Sequence, residues 1–134
     1  MNTYVQVRVA GEVYAIPVRN VVAVAPPGAV TRVPGTRPEL VGVRNMRGAI
    51  LPVFDLAAML SLPCTAPPGR VLVTETGGCQ AGFQVDEVDA VRPLGEPDAD
   101  AESPLLAGAL LTDGELIGFI DIPQLFGTLA RSAS

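Results

Sequence analysis

With 134 residues, 49% of them hydrophobic and 17% charged, the chain has the size and composition of one globular domain or two very small ones, too short for a large catalytic architecture. Its net charge of −5 argues against a nucleic-acid surface, which needs a basic face. The lack of histidine leaves a tetrahedral zinc site and a His-assisted nucleophile without their usual ligand and base.

Residues 4–9 alternate, with Val5, Val7 and Val9 on one face and Tyr4, Gln6 and Arg8 on the other, which is the period of a half-buried strand. Ala10-Gly11-Glu12 turns the chain into a second strand over 13–18, and Pro17, having no amide hydrogen, places that strand at an edge or ends it. Arg19 to Ala25 reads as a helical turn running into a strand, stopped by Pro26-Pro27-Gly28. Strands follow at about 40–45 and 49–54, and Asp55 opens a short helix to Leu60 as its N-cap.

Residues 63–69, with Pro67-Pro68-Gly69, form a connection between halves. A second hairpin joins 71–75 to 79–85 through Gly77-Gly78, and 86–94 is strand-like in its later part. Glu96, Asp98, Asp100 and Glu102 stand among Ala and Pro with no periodicity that a core could use, so 95–104 is predicted to be a solvated loop. A last hairpin pairs 105–111 with 116–120 around Asp113-Gly114, and Asp121 caps a final helix to about Leu129.

The second half repeats the first. Gly11, Ile16, Val18, Val21, Val24 and Pro26 fall at a constant offset on Gly78, Phe83, Val85, Val88, Val91 and Pro93. Near the ends, Asp55-Leu56 with Met59-Leu60 corresponds to Asp121-Ile122 with Leu125-Phe126. The expected architecture is all-β: a repeat over roughly 3–62 and 70–129, each closing a small barrel that removes exposed edges, with exchange of strands between the two left open and no sharp domain boundary.

Strand-like apolar runs flank a tight Arg-Gly corner in the stretch Val30-Thr31-Arg32-Val33-Pro34, then Val43-Arg44-Asn45-Met46-Arg47-Gly48, then Leu51-Pro52-Val53-Phe54-Asp55-Leu56. It closely resembles the CheW-like family of bacterial chemotaxis coupling proteins, whose pattern is roughly V-T-R-[IV]-P, then G-[IV]-x-N-[LM]-R-G, then [LIV]-P-[IV]-x-D-L. The resemblance is weaker but collinear over 4–127. It implies two SH3-like five-stranded β-barrels packed together with short helices. It also implies a non-enzymatic adaptor between chemoreceptors and a CheA-type histidine kinase, one barrel end meeting the kinase and the groove between barrels accepting the coiled-coil tip of a receptor.

Arg47 is the leading site residue. Its bland role is to satisfy carbonyls at the Asn45-Met46-Arg47-Gly48 corner; the resemblance implies receptor coupling, for which a planar guanidinium fork is well suited. Asn45 is expected to fix the turn, and Gly42 and Gly48 to serve close approach or the turn itself. Val21 and Val24 are read as core or as groove lining, the residues alone favouring core. Where the family carries a glutamate and an arginine, as in V-x-E-[IV]-x, this chain has Ala23 and Ala25, so the partner contact at Ala23 is expected to be apolar.

Asp86, Glu87 and Asp89 read as solvent-facing acids on a strand edge, not as a catalytic pair. Cys64 and Cys79 are expected to be free thiols, because cytosolic disulfides are rare and no apolar run or charged leader marks a membrane span or a signal peptide. No cofactor or metal is expected, and the expected compartment is the cytoplasm. Residues 1–62 hold six arginines against three acids and residues 63–134 hold three against eleven, a polarity suited to two partners or simply to solubility. The rival readings are a scaffold of a non-flagellar pathway, serving pili or gliding, and a small β-barrel enzyme or ligand carrier.

Overall fold

A computed structural model of the protein describes residues 2–33, 37–63, 69–101 and 103–132. The chain runs β1 (Asn2–Val9), β2 (Glu12–Pro17), a 3-10 turn (Val18–Asn20), β3 (Val21–Ala25), β4 (Leu40–Met46), β5 (Ala49–Asp55) and α1 (Leu56–Met59). It continues through β6 (Arg70–Thr76), β7 (Cys79–Val85), β8 (Glu87–Leu94), β9 (Leu106–Thr112), β10 (Glu115–Ile120) and α2 (Ile122–Ser132). The alternating and turn signals thus give the expected strands, with β8 a strand along its whole length and α2 longer than its pattern indicated.

Four tight hairpins carry the local order, and each has a two-residue corner with positive φ at both positions: Ala10-Gly11, Arg47-Gly48, Gly77-Gly78 and Asp113-Gly114. That is the type I′ geometry, whose twist matches the strands it joins. β2 ends at Pro17, which costs the ladder no amide hydrogen beyond its last pair with Tyr4. The Asp55 carboxylate accepts from the Ala57 and Ala58 amides, and Asp121 Oδ1 accepts from the Gln124 amide, so both helices begin where the sequence placed their caps.

The strands form two five-stranded sheets in the orders β8-β1-β2-β10-β9 and β3-β6-β7-β5-β4. Each sheet therefore takes strands from both halves of the chain. Each also contains one parallel pair between them, β10 with β2 and β5 with β7. The large core lies between the sheets: Val7, Tyr14 and Ile16 from the first meet Leu72 and Phe83 from the second, with Leu56 of α1 and Leu125 of α2. Each sheet also folds over a smaller core of its own, around Val13, Ile117 and Phe119 in one and Leu51, Val53 and Val71 in the other. Strands buried on both faces, such as β2, explain the near-continuous apolar runs.

Two returning segments close the barrels. Thr31 bridges to Val43 and Ala99 to Ala109, and a Cβ on Gly42 would fall 2.4 Å from the Thr31 carbonyl oxygen, so glycine is required there for close approach. The bridge at Ala99 corrects one expectation: the acidic loop is largely solvent-facing, but hydrogen bonds with Ala109 tie its middle to β9. Gln6 is a second correction. It is buried, not outward-facing, and is satisfied by Asp89 and Arg92 of β8. Asp86 and Asp89 are structural rather than idle, since Asp86 accepts from the Ala10 amide and Asp89 pairs with Arg8 at 3.0 Å. Cys79 is an exposed free thiol, whereas Cys64 and most of the connection at 63–69 lie outside the described residues.

Candidate functional site

The β4–β5 corner is built from the backbone outward. Met46 pairs with Ala49, leaving Arg47 and Gly48 as the whole loop, with φ of 54° and 85°. The Gly48 amide donates to Asn45 Oδ1 at 3.0 Å, so Asn45 holds the corner from the strand before it. Arg47 is exposed, and among the described residues no hydrogen bond or ion pair engages its guanidinium. Below the corner, Arg44 donates to the Pro26 carbonyl at 2.9 Å and ties β4 to the end of β3.

β3 is an edge strand, and its residues divide between faces. Val21 is half-buried against the large central core, and Ala23 is half-buried over the smaller core that Met46 also covers. Val24 is 45% exposed on the opposite side, so the reading of Val24 as core is corrected; an edge strand leaves one face without a covering layer. Ala25 is buried at 6% and belongs to the smaller core. The structure thus joins Ala23 and the Met46 end of the β4–β5 hairpin over one core, and separates them from Val21 and Val24.

Two residues beside this set were not singled out by sequence. Val22, two residues before Val24 in chain order, is 53% exposed, and Ile50, 67% exposed, stands directly across from Asn45. Ile50 could have been found from the hairpin register, because a two-residue corner at Arg47-Gly48 fixes Asn45 opposite it.

The corresponding place in the other sheet is the β9–β10 corner, and its electrostatics differ. There Asp113 at the tip pairs with Arg92 of β8 at 3.1 Å, and Arg8 of β1 bridges Asp89 and Glu115. The Arg8 guanidinium is held even more firmly in its charged form, first by Asp89 and then by Glu115. One barrel end is therefore internally paired, while the other presents an arginine.

The CheW-like domain family matches residues 3–130. Among curated relatives, Protein FrzA of Myxococcus xanthus is 36% identical over 88% of this chain and 81% of its own. Chemotaxis protein CheW of Thermotoga maritima is 31% identical over 83% of this chain and 78% of its own. Among solved structures, the scaffolding protein TtCheW of Thermoanaerobacter tengcongensis superposes with a TM-score of 0.81 at 27% identity, over 90% of this chain and 84% of that one. With the family match spanning nearly every strand of both sheets, and the Asn-Met-Arg-Gly corner in place, the chain belongs to the CheW-like family.

Proposed function

We propose that the protein is a non-enzymatic adaptor that couples chemoreceptors to a CheA-type histidine kinase, with the Arg47 corner on the partner-facing surface. The observation that carries this reading is an arginine held exposed on a strained two-residue corner, with no internal partner among the described residues, in a chain of the CheW-like family. A left-handed arginine costs about 1–2 kcal/mol relative to a residue that tolerates the conformation, so its presence at a tip asks for a use outside the fold. A guanidinium can hold a carboxylate or a backbone carbonyl with two parallel hydrogen bonds. Contacts of this kind are modest in area and gain strength from repetition in an array.

The test is reconstitution of kinase activation with receptor-containing membranes. Arg47→Glu is expected to keep its fold and lose at least tenfold of the coupled activity; a variant that couples normally rejects the assignment, and one that unfolds makes Arg47 structural. A second reading keeps the adaptor and changes the circuit, because identity to Protein FrzA exceeds identity to the Thermotoga CheW. A pull-down from the native cell would separate the two by the kinase and receptor recovered.

A further inference from the structure

Away from the Arg47 corner, β8 lies at one edge of the first sheet, and among the described residues it pairs only with β1. An open edge offers a row of backbone N–H and C=O groups to any strand laid beside it. Glu87, Asp89, Ala90, Val91 and Pro93 are all exposed, Val91 to 60%. A bulge gives the strand two distinct faces. The register on β1 skips Asp89, so Val88 and Val91 both stand on the face of Val7 and Val5, although Asp89 and Ala90 lie between them. Glu87, Ala90 and Arg92 stand on the other face, with Arg8, Gln6 and Tyr4. The stretch Glu87–Arg92 thus has a valine face and a charged face.

That stretch is complementary to itself when turned antiparallel. With Asp89 opposite Ala90 of a second copy, Val88 meets the partner's Val91 and Glu87 meets the partner's Arg92, and each contact occurs twice. Both strands carry the same bulge, so the faces stay matched, valine with valine on one and acid with base on the other. The neighbouring registers fail: one sets Asp89 against Asp89, and the other sets Val91 against Asp89. Glu87 has no ion pair or hydrogen bond among the described residues. Arg92 uses Nη1 on Gln6 and Nη2 on Asp113, which leaves further guanidinium N–H groups for an acid across the edge. By contrast β3, the equivalent edge of the second sheet, is all Val and Ala and has no charge to fix a register. We infer that a second copy of this chain docks on β8, the two edges joining antiparallel about a two-fold axis so that two five-stranded sheets become one. Pro93 bounds the ladder at one end, and at the other the Asp86 amide is already given to the Arg8 carbonyl, so the dimer is small and forms at high concentration. The inference stands apart from the adaptor reading, because Arg47 belongs to the other sheet.

The test is sedimentation velocity of the full chain over about a hundredfold range of concentration, with backbone amide NMR at both ends of the range. Monomer is expected to give way to dimer, with the concentration-dependent shifts gathered at residues 87–92. Glu87→Arg sets arginine against arginine at both junctions, and Val91→Lys puts a charge on the valine face. Each alters an exposed side chain, so both should keep the parent's melting temperature at the dilute end and weaken the dimer at least tenfold, whereas Val91→Ile should retain it. A mixing arm uses Glu87→Arg with Arg92→Glu: like charges meet across either homodimer, but the mixed pair restores an acid and a base at both junctions and should dimerise where each alone does not. Arg92→Glu gives up the bonds to Gln6 and Asp113, so its fold is checked first by NMR, and the Glu87 and Val91 variants decide the matter without it. A chain that stays monomeric throughout, a dimer whose shifts lie at β3 or the Arg47 corner, or a dimer indifferent to both Glu87→Arg and Val91→Lys would overturn the inference. A monomer whose residues 87–92 shift only when receptor-containing membranes are added would give this edge to a different partner and likewise defeat the second copy.

Discussion

Arg47 shows how much one position can say. Type I′ corners favour Asn, Asp or Gly, and the other three corners here start with Ala10, Gly77 and Asp113, so the bulkiest first residue is the one at the proposed partner surface. Arg47→Asn should therefore raise stability by about 0.5–1 kcal/mol in chemical denaturation while coupling is lost, since the turn improves and the fork disappears. A loss of stability would mean that Arg47 supports the fold. The corner was legible because glycine after arginine marks a turn within four residues of chain. Gln6 was not, because its partners Asp89 and Arg92 lie more than eighty residues away and only the closed barrel brings them together. Tyr14 supplies a pH test at the same scale. Burial raises its phenol above the ordinary value of 10.0, with a smaller contribution from Glu12. The folded state then holds its proton where the unfolded chain has released it, so stability falls as pH rises through the unfolded value towards the folded one. Tyr14→Phe should flatten the alkaline limb of stability against pH, and an unchanged limb would assign that limb to other groups.

At the scale of elements, β3 is where pattern reading was weakest. Its five residues are all Val or Ala, so composition alone cannot say which side is wet, and the register shift between Val21 and Ala23 breaks simple alternation against β6. The structure puts Val22 and Val24 outward and buries Ala25, which separates two positions that the family pattern treats together. Ala23 is only half-buried and remains open to a partner's chemistry, but Ala25 packs with Leu51, Val53, Val71 and Val73. Ala25→Arg should accordingly cost about 3–5 kcal/mol, or leave the protein insoluble, because a guanidinium would be buried there without a partner. Ala23→Glu alone should be far milder. Denaturation of the two single variants measures this directly, and comparable losses would mean that Ala25 is less enclosed than its packing indicates. α1 behaves differently: Asp55 announced its start, but its stop is a left-handed Ser61, with Leu62 N donating to the Ala57 carbonyl, a Schellman closure usually made by glycine and therefore not marked in the sequence.

For the molecule as a whole, hairpins were readable and their partners were not. Turn chemistry sets each hairpin locally, whereas the parallel pairs β2 with β10 and β5 with β7 join opposite halves through contacts that leave no local signal. The two sheet orders interconvert when β1, β2, β8, β9 and β10 are replaced by β6, β7, β3, β4 and β5, which is the arrangement two repeats would give after exchanging their first hairpins. On that reading neither half can complete a barrel from the strands it holds in the native pairing. A fragment of residues 1–62 retains β3, β4 and β5 without the β6–β7 hairpin that lies between β3 and β5, and retains β1 and β2 without β8 or β10 on either side. It also loses Leu72, Phe83 and Leu125 from the central core, leaving Val7 and Ile16 uncovered. Open edges and exposed apolar faces of that kind lead to aggregation or to pairing with a complement. Fragments 1–62 and 70–134 should therefore be unfolded or self-associated when separate and should recover the native amide spectrum when mixed one to one, while the intact chain unfolds in one transition seen alike by different probes. A monomeric, cooperatively folded 1–62 would show instead that β1 and β2 can close on β3, β4 and β5 of their own half, and that the exchange is an option of this sequence and not a requirement.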